Sequence, residues 1–298
     1  MKKALALILT ASLLTGVLTA CGSSEAQTDA AETTTEEAAA EETADTDAQA
    51  ETGDLQVITV AATAVPHAEI LEAAKPILAE QGYDLQVTVF DDYVQPNEVV
   101  EAGDIDCNYF QHIPYLNSYN EERGTHLVSV GEIHYEPIGI YAGTESDLSN
   151  ISDGADIAIP NDTTNEARAL LILQDNGIIT LKEGAGIDAT INDIAENPHN
   201  INFVEMEAAQ VSKVLSEVAF AVINGNYALD AGLNAQTDAL ASETSDSLAA
   251  QTYVNVVVVK EGNEDNEGVK ALVDVLKSDD IKKFIEETYE GAVVPFEG

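Results

Sequence analysis

Several residue types are scarce in this 298-residue sequence. It has no tryptophan, two methionines and two cysteines, and its 12 lysines and arginines face 54 aspartates and glutamates. The formal net charge is −42. Phosphate binding requires clustered basic side chains, so the composition argues against a nucleic-acid partner. Two cysteines, Cys21 and Cys107, are too few for a cysteine-based zinc cluster.

The motifs of common enzyme classes are also missing. The sequence contains no P-loop GxxxxGK[ST], no GxSxG and no HExxH, and no GxGxxG follows an expected strand. Cys107 and His112 are five residues apart, but a nucleophilic pair also needs an orienting group and oxyanion donors. A free cysteine in the alternating run DIDCNYF more often fills a small buried slot. We therefore predict a protein that is not an enzyme and has no catalytic residue.

Histidines are the remaining candidates for metal ligands. His67, His112 and His134 are available, but their spacing matches no metal-binding signature. We predict neither a metal site nor another cofactor.

The N-terminus has the pattern of an exported lipoprotein. A basic Met1-Lys2-Lys3 precedes a short apolar run, and residues 1–20 are predicted to be a secretory signal peptide. The run ends in Leu-Thr-Ala-Cys-Gly and resembles a bacterial lipobox, in which Cys21 becomes the first mature residue and carries the lipid. An ordinary cleaved signal with an incidental cysteine is the alternative. We expect a lipid-anchored protein of the cell membrane that faces the extracytoplasmic side.

A segment of different composition follows Cys21. Residues 22–54 contain mostly Ala, Thr, Glu and Asp, with no Lys, Arg or aromatic residue. Such a segment buries too little apolar surface to offset its ordering entropy. We predict that residues 21–54 are a lipidated cysteine followed by a disordered acidic tether.

Residues 55–298 have the pattern of an α/β fold. Short β-rich runs such as residues 55–63 alternate with helical segments, which predicts largely parallel sheets. Two groups of strands indicate two lobes joined by hinge strands near His134–Gly139 and Ala250–Val254. The predicted boundaries are residues 55–136 with 254–298 for lobe 1 and residues 137–253 for lobe 2.

Three polar residues interrupt apolar segments. Arg168 lies near the start of the apolar helix NEARALLIL, where a buried guanidinium needs a partner. An internal carboxylate and a ligand carboxylate are equally compatible with this position. Asn224 and Asn255 lie at the end of or within strongly apolar strands, so each amide caps the backbone or points into a cleft.

These segments together resemble the methionine-binding lipoprotein family, which is NlpA/MetQ-like. The resemblance covers Leu55 to nearly the C-terminus. The matching segments are VPHAEIL (65–71), DDYVQPN (91–97), NYFQHIPYL (108–116), VSVGEIHYEPIGIY (128–141), IAIPNDTTNEARALLIL (157–173), AENPHNINFVEMEAAQ (195–210), AVINGNYALDAGL (221–233), YVNVVVV (253–259) and GAVVPF (291–296).

The resemblance implies a two-lobed fold of the periplasmic-binding-protein class, with an amino acid held between the lobes. It implies that Arg168 binds the ligand carboxylate and that Asn224 and Asn255 bind the ligand's polar end. The positions that match the side-chain pocket are Tyr93, Phe110, His112 and Tyr115. Tyr109 alternates to the other face of its strand and is left out.

The resemblance also implies a function. The protein is expected to be the substrate-binding component of an ABC importer, a monomer that delivers L-methionine to a membrane permease with its ATPase. Within the same fold, D-methionine, a methionine-containing dipeptide or another apolar amino acid are alternative ligands. A surface adhesin is an alternative from a different class.

Overall fold

The computed structural model describes residues 55–244 and 251–297. The predicted signal peptide of residues 1–20 and the predicted tether of residues 21–54 lie outside them. The described strands are β1 (Gln56–Ala62), β2 (Tyr83–Val89), β3 (Cys107–His112), β4 (Leu127–Tyr135), β5 (Gly139–Ala142), β6 (Asp156–Pro160), β7 (Thr180–Leu181), β8 (Ile194–Glu196), β9 (Asn202–Met206), β10 (Phe220–Ile223), β11 (Ala239–Ser242), β12 (Val254–Lys260) and β13 (Val294–Pro295).

The strands form two main sheets. The first has the order β13-β4-β12-β3-β1-β2 and the second the order β11-β5-β10-β6-β9, while β7 and β8 form a separate pair. The chain crosses from the first sheet to the second between Tyr135 and Gly139 and returns between Ser242 and Val254. These crossings lie close to where the sequence predicted hinges. The lobe boundaries drawn from the sequence stay a prediction.

Both sheets are mixed, which corrects the expectation of largely parallel sheets. In the first sheet β1 pairs in parallel with β2 and β3, but β12 is antiparallel to β3 and β4. The apolar run of β12 is buried along almost its whole length, as expected for a strand covered on both faces. The antiparallel direction of β12 is set by the point at which the chain returns from the second sheet to the first.

Helices cover the faces of both sheets. They are α1 (Glu69–Glu80), α2 (Gln95–Ala102), α3 (Ile113–Arg123), α4 (Thr163–Asp175), α5 (Ala208–Val211), α6 (Gly225–Asp230), α7 (Glu267–Leu276) and α8 (Asp279–Tyr289). In the part of the chain that the structure describes, no helix combines the length and apolar character needed to cross a bilayer.

Local contacts explain two details of the helices. Helix α1 continues through Pro76. Pro76 and Glu72 are both exposed, so the carbonyl that loses its helical donor faces water. Helix α4 is capped by Asp162, whose side chain accepts a hydrogen bond from the backbone N–H of Asn165.

Each sheet packs its helices around an apolar core. In the first core, Ile58, Val257 and Cys107 pack with Leu71 of α1 and Leu272 of α7. A second core in the other sheet is built on isoleucines of β5 and β6, Phe220 of β10 and the apolar face of α4. Packing on both faces of each sheet holds the strand ends, and the loops that follow them, in fixed positions.

Cys107 belongs to the first core. It is fully buried, and its thiol points to the backbone carbonyl of Thr59 at 3.7 Å. Burial raises the pKa of the Cys107 thiol, so the reactive thiolate is disfavoured. Cys107 and His112 lie at opposite ends of β3, and their side chains contact different partners, the Thr59 carbonyl and Asn165.

We predict that Cys107→Ala lowers the free energy of unfolding by about 0.5–1.5 kcal/mol, as for deletion of one methyl-sized buried group. Ligand binding should not change. In a Cys21→Ser background, where Cys107 is the one remaining cysteine, a thiol reagent should label the protein only after unfolding in urea. Rapid labelling of the native protein would contradict the packing role.

Candidate ligand-binding site

A cavity lies among residues contributed by elements of both sheets. It is lined by Tyr93, Phe110, Gln111, His112, Tyr115, Glu136, Asn165, Arg168, Asn224, Gly225, Asn226 and Asn255. The structure therefore brings together all seven residues that the sequence analysis proposed for ligand binding. Seven of the twelve lining residues follow directly after a strand or lie in the first two turns of a helix.

Three aromatic rings form one wall of the cavity. The ring centroids of Tyr93, Phe110 and Tyr115 lie 5.6–6.1 Å apart in tilted or edge-to-face arrangements. The Tyr115 hydroxyl donates to the Tyr93 carbonyl at 3.0 Å, and the Tyr93 hydroxyl donates to Asn226 Oδ1 at 2.5 Å. These bonds fix the rings, and the wall suits an apolar or sulfur-containing side chain.

His112 connects this wall to the polar part of the cavity. Its Nδ1 accepts the Tyr115 backbone N–H at 3.2 Å, which caps α3. Its Nε2 must then carry the hydrogen and donates to Asn165 Oδ1 at 3.1 Å. Burial, assisted by the charge of Arg168, lowers the pKa of His112 to about 3. His112 is therefore neutral, with both ring nitrogens engaged by the protein.

Arg168 has an internal carboxylate partner, Glu243. Its Nε donates to Glu243 Oε1 at 2.9 Å and its Nη2 to Glu243 Oε2 at 2.5 Å. Nη2 also donates to the Glu136 backbone carbonyl at 2.8 Å. The sequence left open whether Arg168 pairs with an internal carboxylate or with a ligand carboxylate. The structure shows an internal partner, Glu243. The guanidinium carbon also lies 4.3 Å from the centroid of the Tyr253 ring, and Arg168 lines the cavity.

Glu243 is held as tightly as Arg168. Its Oε2 accepts the Tyr135 hydroxyl at 2.6 Å and the Ile138 backbone N–H at 3.1 Å. Burial alone would raise the pKa of Glu243, but the guanidinium of Arg168 lowers it below its usual value. The carboxylate is therefore ionised, and it ties α4 to the crossing between the two sheets. Sequence reasoning missed it, because one glutamate among so many carries no signal.

Asn224 is oriented by a chain of hydrogen bonds. The Asp162 carboxylate accepts Asn165 Nδ2 at 2.8 Å, so Asn165 turns its Oδ1 away from Asp162. That Oδ1 accepts Asn224 Nδ2 at 2.7 Å. Asn224 Oδ1 is buried and has no hydrogen-bond partner among the described residues. Asn224 thus offers the cavity an acceptor.

Asn255 has the opposite orientation. Its Oδ1 lies 3.0 Å from His67 Nε2, and His67 Nδ1 lies 2.8 Å from the Thr63 hydroxyl. His67 Nε2 is also 3.3 Å from the Glu136 carboxylate, which favours the tautomer with hydrogen on Nε2. Asn255 Oδ1 is then an acceptor for His67, and its Nδ2 donors are what Asn255 can offer a ligand.

Glu136 lies beneath the polar end of the cavity. Its Oε1 accepts His134 Nε2 at 2.8 Å, and the Tyr109 hydroxyl contacts His134 Nδ1. Burial lowers the pKa of His67 to about 4 and that of His134 to about 3, so both imidazoles are neutral. Burial also raises the pKa of Glu136.

Ligand atoms of His67, His134 and Glu136 all lie within 4.8 Å of one another, close enough to hold a metal ion. The hydrogen bonds between them account for this proximity, since each Nε2 is directed at an oxygen acceptor. The absence of a metal stays a prediction from the sequence.

Five lining residues were not proposed from the sequence: Gln111, Glu136, Asn165, Gly225 and Asn226. Glu136 had a recognisable signal, because it is the one charge in the apolar run HYEPIGIY. Asn165 lies one helical turn before Arg168. Two nearby aspartates have structural contacts. Asp92 accepts the backbone N–H groups of Val94 and Gln95 at the start of α2, and Asp106 accepts from the Thr59 side chain and backbone.

Two α/β sheets between which the chain crosses twice, with a buried polar cavity between aromatic and amide walls, define a two-lobed substrate-binding protein of the periplasmic class. A model of the NlpA lipoprotein family matches residues 58–297, and the chain belongs to this family.

Similar proteins support the same classification. The methionine-binding lipoprotein MetQ of Bacillus subtilis is 41% identical over 250 residues, which cover 83% of this chain and 90% of that protein. A solved lipoprotein structure from Ruminococcus gnavus is 67% identical, with a TM-score of 0.80, and covers 81% of this chain and 100% of its own. A nutrient-binding protein from Burkholderia cenocepacia, solved bound to methionine, is 42% identical, with a TM-score of 0.76 and coverage of 80% and 99%.

The three buried histidines predict a pH-dependent stability. Their pKa values lie at about 3 to 4 in the folded protein, against 6.5 for the free side chain. Because the unfolded chain binds more protons between these values, the free energy of unfolding is highest above pH 6.5 and falls towards pH 4. Each histidine contributes up to about 1.4 kcal/mol per pH unit. Glu136 opposes part of this fall, since its raised pKa favours protonation in the folded state.

Urea unfolding between pH 7.5 and 5 measures this slope. His126→Gln, which removes an exposed imidazole, is the control and should retain the slope. A free energy of unfolding that does not change over this interval would contradict the neutral, buried state of the three histidines.

Proposed function

We propose that the chain binds free methionine in the cavity between its two lobes. The observation that carries the proposal is the assembly of an aromatic wall and a polar end around one cavity. Tyr93, Phe110, His112 and Tyr115 would contact the side chain of the ligand. Arg168, Asn224 and Asn255 would bind its charged groups. The Burkholderia cenocepacia relative is described as bound to methionine, which supports this choice of ligand.

The physical chemistry of the cavity is suited to such a ligand. Burying a methionine side chain contributes about 1.5–3 kcal/mol. Contacts between its sulfur and an aromatic ring add about 0.3–1.5 kcal/mol each. Hydrogen bonds to the charged ends contribute about 1.5–3 kcal/mol each. Together these terms can exceed the cost of ordering the ligand and closing the lobes.

We further propose that the protein is anchored through lipid on Cys21 and delivers its ligand to an ABC permease with its ATPase. The relatives named lipoproteins support the anchor. The protein would perform no covalent chemistry, and a monomer is sufficient for this function. Its predicted site faces the extracytoplasmic side of the membrane.

Calorimetric titration of protein that has been unfolded and refolded to remove bound ligand tests the leading function. We expect L-methionine to bind with a dissociation constant of about 1 μM or lower, equivalent to roughly −8 kcal/mol. D-methionine, a methionine-containing dipeptide and leucine are the comparisons. Tighter binding of one of these would reassign the ligand, and no heat with any of them would favour an adhesin-type role.

Substitution of the aromatic wall tests the location of the ligand. Phe110→Ala should weaken methionine binding by about 1.5–3 kcal/mol, because the ligand side chain loses its apolar contact. Tyr119→Phe is the matched control, since Tyr119 belongs to the same aromatic cluster but does not line the cavity. Equal affinities of Phe110→Ala and wild type would place the ligand elsewhere.

The lipid anchor has a separate test. Cells treated with an inhibitor of lipoprotein signal peptidase should accumulate the uncleaved precursor, and Cys21→Ser protein should leave the membrane fraction. Retention of the Cys21→Ser protein on membranes after a salt wash would contradict anchoring through Cys21.

A further inference from the structure

Two tyrosine hydroxyls join elements of the two sheets beside the cavity. The Tyr93 hydroxyl, in the connection between β2 and α2, donates to Asn226 Oδ1 of α6 at 2.5 Å. The Tyr227 hydroxyl, on the next residue of α6, donates to the Asp91 backbone carbonyl at 3.1 Å. Because β2 belongs to the first sheet and α6 follows β10 of the second, each bond links one sheet to the other. Asp91, Tyr93, Asn226 and Tyr227 together form what we call the tyrosine clasp.

The two rings of the tyrosine clasp also pack against each other. Their centroids are 5.0 Å apart, and their planes are tilted by 33°. Tyr227 is buried, and Tyr93 packs against an apolar cluster of each sheet. Burial raises the pKa of both hydroxyls, so both stay protonated and act as donors. Ring packing and hydrogen bonds therefore hold the clasp in one arrangement.

The tyrosine clasp lies between the cavity and the protein surface. Tyr93 lines the cavity, and it also lines a surface groove to which Asp92 and Glu207 contribute. Tyr227 lines this groove but does not line the cavity. The Tyr93 ring is thus part of the partition between the cavity and the groove, and Tyr227 supports it from the outer side.

Tyr115 is the other tyrosine of this partition, and its hydroxyl has a different kind of partner. Its ring lines both the cavity and the groove, but its hydroxyl donates to the Tyr93 carbonyl, so this bond stays among elements of the first sheet. The bond couples Tyr115 to Tyr93. The Tyr93 hydroxyl is therefore a point at which the partition is attached to the second sheet.

We propose that the tyrosine clasp holds the two sheets together over the cavity and that its opening controls the release of the ligand. Asn226 and Tyr227 act as positioning residues, because they hold the Tyr93 ring in place. Opening breaks both hydrogen bonds, and the freed groups can bond to water, so the step is reversible. This inference rests on the proposed function and concerns the rate of ligand exchange, not the identity of the ligand.

Removal of the two hydroxyls tests this role. Tyr93→Phe and Tyr227→Phe keep both rings, and with them the aromatic wall, while each deletes one hydrogen bond between the sheets. Radiolabelled L-methionine is loaded onto ligand-free protein and chased with excess unlabelled L-methionine. Each variant should release the ligand about 2- to 12-fold faster than wild type, the equivalent of one lost hydrogen bond of about 0.5–1.5 kcal/mol.

The rate of association separates the clasp from a general loss of structure. It should stay within about twofold of wild type in both variants, because the two bonds form only after the ligand has entered. The double variant should release the ligand faster than either single variant, since both bonds break in the same opening step. Urea unfolding verifies that each variant folds.

Tyr119→Phe is the matched control. The Tyr119 hydroxyl contacts the Val94 carbonyl among elements of the first sheet, and Tyr119 does not line the cavity. This variant loses a tyrosine hydroxyl from the same aromatic cluster without touching a bond between the sheets. It should release L-methionine at the wild-type rate.

Tyr227→Phe decides the outcome, because Tyr227 does not line the cavity. Release from this variant at the wild-type rate would overturn the clasp, and faster release from Tyr93→Phe alone would show that the Tyr93 hydroxyl binds the ligand. Slower association with unchanged release would contradict the clasp as well. No L-methionine binding to wild type would instead overturn the proposed function, and this inference with it.

Discussion

The arrangement of the cavity depends on one buried ion pair, Arg168 with Glu243. Its two parallel hydrogen bonds join helix α4 to the end of β11, and further bonds from Tyr135 and Ile138 join both to the crossing between the sheets. Removing one member would leave the other as an uncompensated buried charge, which typically costs 3–5 kcal/mol. The pair therefore fixes α4 relative to residues 136–138, where the chain crosses between the sheets.

The same pair determines which charges the cavity presents. Because Glu243 occupies Nε and Nη2 of Arg168, a ligand carboxylate can meet only one edge of the guanidinium. Neutral histidines and fixed amides define the rest of the polar surface. Ligand recognition in this cavity therefore depends on the orientation of the amides as well as on charge. Asn224 can offer only its oxygen, because its Nδ2 donates to Asn165, and Asn255 can offer only its Nδ2, because its Oδ1 accepts from His67.

Much of this arrangement could be predicted from the sequence. Apolar runs such as those of β10 and β12 identified strands, and the family resemblance named seven residues that the fold places around one cavity. Buried polar residues within apolar segments, such as Arg168 and Asn255, were informative because an apolar environment requires them to have partners.

The identities of those partners could not be predicted. Asn255 and His67 are separated by 188 positions and Arg168 and Glu243 by 75, and neither spacing has a local signature. The direction of β12 depends on where the chain re-enters the first sheet, which its apolar pattern does not encode. Glu136 was visible as a lone charge, but its role depends on the histidines and glycine that surround it in three dimensions.

A crystal structure of the methionine complex at a resolution that distinguishes the two ends of the ligand is the most direct test. The account predicts the ligand side chain against the rings of Tyr93, Phe110 and Tyr115, and the charged groups of the ligand at Arg168, Asn224 and Asn255. A ligand bound in the reverse orientation, or outside the cavity, would contradict it.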